Sequence, residues 1–90
     1  MYQVKGAITV TAARAAFEAG LQAIADGHRE FDLAQLAEVD SVAVATLLAW
    51  QRAAADKGSR LVFHHLPENL RTLAQLYNAG TLLATAAAEH

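Results

Sequence analysis

The sequence predicts a small α/β domain built on a mixed, mostly parallel sheet of about four strands, with helices packed mainly on one face. Three observations carry this. Short β-rich runs alternate with amphipathic stretches in the order β-α-β-α-β-α, and strands separated by helical crossovers pair in parallel. Of the 90 residues 54% are hydrophobic and 22 are alanine, a residue that favours helix and lets helices approach closely. The length supports one core and no more. Residues 1–83 therefore read as a single domain and residues 84–90 as a C-terminal tail.

The elements follow from period and punctuation. Tyr2 to Ile8 begins with strand-like alternation and reads as one strand. Thr9 or Thr11 is placed to cap a helix over Thr11–Asp26, whose apolar face is Phe17, Leu21 and Ile24 and whose end is marked by Gly27. Phe31-Asp32-Leu33 is a short strand, and Ala34 to Asp40 reads as a loop or turn. Ser41 opens the clearest helix, to about Lys57, with Val44, Leu47 and Leu48 as its stripe, Gln51 continuing it and Gly58 closing it. Arg60 to His65 is β-rich. Pro67 and Glu68 suit the first turn of a helix with Leu70, Leu73, Ala74 and Tyr77 on one face, ended by Gly80. Thr81-Leu82-Leu83 is a short strand or turn.

Composition removes several functions. A net charge of −2 offers nothing to neutralise a run of phosphates, so no nucleic-acid partner is expected. Without cysteine there is no disulfide, thiolate metal site or cysteine nucleophile. The first residues lack a basic region followed by an apolar one, so no signal peptide is expected. The longest apolar run, Val42 to Trp50, is too short to cross a bilayer, so direct membrane insertion is not expected. A cytoplasmic location fits this reading.

Five places could carry chemistry. In Asp40-Ser41 the Ser41 hydroxyl stands where it can accept a hydrogen bond from an early helical N–H, as an ordinary N-cap. The same serine is a candidate contact or phosphorylation residue, because a helix start tolerates negative charge. Trp50 lies at one margin of the apolar stripe and Ser41 at the other, and a marginal tryptophan is either partly buried core or an interface anchor. His64 and His65 are neighbours in a strand and point to opposite faces, so they do not chelate one metal ion. His28 reads as a loop residue, and Glu18 and Asp26 as solvated helix carboxylates two turns apart. No glycine-rich phosphate loop or nucleophile elbow is present, which speaks against an enzyme; no cofactor is expected.

Phe31-Asp32-Leu33, Val39-Asp40-Ser41 opening a Leu-rich helix, and a strand after Lys57-Gly58 together resemble the STAS domain family. Leu47-Leu48-Ala49-Trp50-Gln51-Arg52 and the run from Leu66-Pro67-Glu68-Asn69-Leu70 to Leu76-Tyr77 resemble its MlaB-like branch, found in Mla-type phospholipid ABC transporters of Gram-negative bacteria. The resemblance implies a four-stranded sheet and a non-catalytic role. That role is binding the (MlaF-like) ATPase subunit and supporting assembly and activity of a transporter that maintains outer-membrane lipid asymmetry. Its cellular place would be cytoplasmic, peripheral to the inner membrane through the complex. The hydroxyl residue at the start of the second helix matters for that contact, and Ser41 stands in its place. The implied partner-binding set is Val39, Asp40, Ser41, Val42, Ala45 and Arg52. The anti-sigma factor antagonist branch implies an alternative: a partner-switching regulator phosphorylated on Ser41 by an anti-sigma factor kinase. That branch carries Asp-Ser-Ser/Thr-Gly, and here Val42-Ala43 replaces the last pair.

Overall fold

The computed structural model describes residues 1–76. The expectations for Tyr77, Gly80, Thr81–Leu83 and the tail 84–90 lie outside the described residues. The elements are β1 (Tyr2–Gln3), β2 (Gly6–Ile8), α1 (Ala13–Ala25), β3 (Glu30–Asp32), β4 (Leu36–Val39), α2 (Ser41–Ala55), β5 (Val62–His64) and α3 (Glu68–Leu76). The α/β class stands, and every described strand pairing is parallel.

The sheet differs from the expectation in two places, with one cause. Tyr2–Ile8 is two strands rather than one, and Ala34–Asp40 is largely strand β4 rather than loop. β1, β3 and β5 form one sheet in that order, while β2 and β4 pair separately. Both ribbons bend at the same level. On the first, Gly6 takes φ +83, a left-handed conformation that glycine adopts freely. On the second, the Asp32 carboxylate accepts from Ala34 N–H at 2.9 Å, and Leu36 N–H reaches Leu33 C=O at 3.1 Å, closing a turn. Chain β1–β2 thus stays beside chain β3–β4 across a shared kink, with a register shift between Gly6 and Ala7. Leu36-Ala37-Glu38-Val39 exposes its two middle residues and half-buries its ends, so it shows no hydrophobic alternation.

One face of the sheet is buried. In β3 Phe31 is buried between Glu30 and Asp32, and in β5 Phe63 is buried between Val62 and His64. Phe31, Leu33, Leu61 and Phe63, all fully buried, meet the helices. The buried line of α1 is Gly20, Ala23 and Ile24, while Phe17 and Leu21 are half-buried against its margins. The start of α1 has no side-chain cap: Ala12 is the cap residue, Thr9 offers its carbonyl to Ala12 and Ala13, and the Thr9 and Thr11 hydroxyls pair at 3.3 Å. Its end is as expected: Gly27 at φ +100 donates to Ile24 C=O, and His28 N–H returns to Ala23 C=O.

Trp50 is fully buried, at the centre of the α2 face rather than its margin, which removes the interface-anchor reading. The core line of α2 is Ala43, Val44, Leu47, Trp50 and Ala54. The Trp50 indole donates to Phe17 C=O of α1 at 3.0 Å, so its one polar atom is satisfied. Its ring stands edge-on to Phe31 at 5.2 Å. The indole fits because α1 carries Gly20 opposite it; a Cβ there would lie inside the Trp50 ring. Gln51 holds the strand that follows: its amide donates to Leu61 C=O at 2.8 Å and accepts from Leu61 N–H at 3.0 Å.

Candidate functional site

The first turn of α2 is built by Asp40, not by Ser41. Asp40 has extended backbone angles and is the N-cap, its carboxylate accepting from Val42 N–H at 2.9 Å. The second carboxylate oxygen accepts from Val10 N–H at 3.0 Å. One aspartate therefore caps α2 and ties down the turn that joins β2 to α1. β4 delivers it there, with Asp40 N–H donating to Ile8 C=O at 3.3 Å.

Capping by Asp40 corrects the expected role of Ser41. Ser41 is the first helical residue and is exposed. It makes no side-chain hydrogen bond to another described residue. It also stands almost opposite the core line rather than at its margin, because burial centres on Leu47 and Trp50.

The candidate set separates into three roles. Ser41, Ala45 and Arg52 are exposed and fall in one stripe along α2, since offsets of four and eleven residues return to nearly the same side of a helix. Leu48 completes the stripe. Val42 is half-buried beside it, and Val39 is the half-buried last residue of β4. Ser41, Val42, Val44, Ala45 and Leu48 line an open, mostly apolar groove of about 390 Å³. The sequence places Leu48 in the core stripe; it is only partly buried and faces this groove. Val10 was outside the expected set, yet it is 75% exposed beside Asp40. In the sequence it is a valine between the two threonines offered as helix caps.

His64 and His65 sit elsewhere and make private pairs. His64 Nε2 meets Glu30 at 2.8 Å. His65 Nδ1 meets Asp32 at 3.0 Å. His65 leaves the strand with φ +58, so simple alternation does not govern the two rings. The bond from Ala34 N–H and then the one from His65 hold the Asp32 carboxyl below its usual pKa. Glu18 pairs with Arg14 and Asp26 with Gln22, both on exposed helix surface. Among the described residues no cluster of three metal-ligating side chains occurs. No described helix is long and apolar enough to cross a membrane.

A family model described as "Mlab, STAS domain" matches residues 2–84. No curated protein matches the sequence. Among solved structures the chain is similar to the anti-sigma factor antagonist SpoIIAA in its unphosphorylated form. The likeness has 17% identity, covers 93% of this chain and 76% of that one, and gives a TM-score of 0.68. At that identity the likeness is one of fold.

Proposed function

The chain belongs to the STAS domain family, and on that premise we propose that it is a non-catalytic docking subunit of a Mla-type phospholipid ABC transporter. It binds the ATPase subunit through the start of α2 and supports the assembly and activity of the complex, and through it outer-membrane lipid asymmetry. Val39 and Asp40 shape the contact from behind; Ser41, Val42, Ala45 and Arg52 meet the partner. The observation that supports this is the exposed Ser41 at the head of a groove lined by Val42, Val44, Ala45 and Leu48. A small hydroxyl over an apolar floor allows close approach, and burial of that floor favours the assembled state. Because a ligand that prefers the folded chain stabilises it, partner and subunit hold each other in place. The chain would then reside in the cytoplasm, peripheral to the inner membrane.

Ser41→Asp tests this reading. The charge sits at a helix start, where it suits the dipole, so the fold survives. The same carboxylate would be desolvated in the interface, so co-purification with the ATPase should fall steeply. Unchanged co-purification would contradict the proposal.

A second reading rests on the pair Asp40-Ser41 itself, with its hydroxyl open to a kinase: a partner-switching regulator that an anti-sigma factor kinase phosphorylates. The phosphate would stand beside the Asp40 carboxylate and add a charge of about −1.5 to −2. Incubation with such a kinase and ATP, followed by intact mass, separates the two; only the second reading expects a mass increase.

A further inference from the structure

We infer that His65 is a strap whose imidazole closes over the Asp32 carboxylate and ties the end of β5 to the kink at which β3 passes into β4. A single oxygen makes the tie. Asp32 Oδ1 accepts from Ala34 N–H at 2.9 Å and meets His65 Nδ1 at 3.0 Å. The first bond builds the turn that bends the chain toward β4. The second takes hold of the residue at which the chain leaves β5 for α3. β3 and β5 are in register with Asp32 opposite His64, yet His64 reaches back to Glu30 and it is His65 that meets Asp32. Alternation along a strand would turn His65 to the other face. Its φ of +58 brings it back.

Backbone and burial show which partner moves. Among the described residues His65 is the one non-glycine residue with positive φ. The left-handed region costs energy for a residue with a Cβ, and the surroundings must hold it there. The Asp32 side chain is 13% exposed and that of His65 66%. Asp32 is therefore the anchor, and the imidazole is an arm that can swing into water without opening the core. Ala34 N–H and then His65 hold the Asp32 carboxyl below its usual pKa, so it is an ionised acceptor at neutral pH. A carboxylate has no proton to give, so the closed strap requires the proton of a neutral His65 on Nδ1. Closure thus sets the tautomer of His65, and it fixes the exit to α3 and the approach to β4 together.

Two measurements on the full chain test this. Nitrogen NMR of the His65 ring at about pH 9, where histidine is neutral, reads the tautomer. The proton should sit on Nδ1; a ring protonated mainly on Nε2 would mean an open strap and overturn the inference. His65→Gly then removes the arm while accepting the left-handed φ without strain, so the variant folds. Amide exchange at Ala34 should accelerate about threefold, the order expected for the loss of one modest hydrogen bond. Exchange at Val62, whose N–H donates to Arg29 C=O inside the same sheet, should stay at the wild-type rate. An unchanged Ala34 would show that the shared oxygen does not couple the two exits, and the inference would be wrong. Equal acceleration at Ala34 and Val62 would show general loosening of the sheet and contradict it as well.

Discussion

The two halves of α2 have been given opposite tasks. Toward its C-terminal end Trp50 fills the notch over Gly20 and donates to Phe17 C=O, while Gln51 grips both backbone groups of Leu61. There the polar groups of Trp50 and Gln51 are matched inside the molecule, and Arg52 alone carries the exposed stripe into this half. At the N-terminal end the backbone is equally well anchored, by Asp40, yet the outward side chains of Ser41 and Ala45 are left exposed. A rigid backbone presenting uncommitted side chains suits a surface made for a partner. The buried side of the lower half supplies that rigidity, and substitutions at Trp50 or Gln51 should act on stability where those at the tip act on binding.

The largest expected effect breaks the stable half. Trp50→Ala empties the space between α1, α2 and Phe31 and should cost about 3–5 kcal/mol, measured by urea unfolding. Gly20→Ala sharpens the comparison with a single methyl. Helix propensity alone would favour alanine by about 1 kcal/mol, but the added Cβ meets the fully buried Trp50 ring. The clash should win, with a net loss of about 1–3 kcal/mol. If Gly20→Ala raised the melting temperature, the packing account of this half would be wrong.

At the tip, Ser41→Asp should shift stability by no more than about 0.5 kcal/mol while weakening docking. The smallest effect lies outside both halves. The Asp32 carboxyl is held below its usual pKa by the Ala34 N–H and by His65. A depressed folded pKa gives stability that is full above the unfolded value of about 3.9 and is lost as pH falls through the folded value. Asp32→Asn should therefore lower stability slightly at neutral pH and flatten part of the acid limb, the two proteins converging as pH falls.

The alternation of elements was legible because helices α1 and α2 and strands β3 and β5 carry strong periods or β-rich composition. β4 was not, because Leu36 to Val39 has exposed middle residues and is held mainly by pairing with β2, which no local pattern announces. At the candidate site the helix start was legible, but not which residue caps it. Asp40-Ser41 marks a helix start, and either residue can cap; the choice falls to Asp40 because its second oxygen also meets Val10. Trp50 looked marginal because a helical wheel weights all apolar residues alike. Gly20 opens room for the indole from a different helix, and Leu48 turns to the groove instead. Both facts are tertiary.

The most direct test places a photo-crosslinking residue at Ser41, the start of α2, or at the exposed Lys57, just beyond its end, in the full chain with the transporter ATPase. The account predicts a crosslinked ATPase band from position 41 and none from position 57. Crosslinking from 57 alone, or from neither, would contradict it.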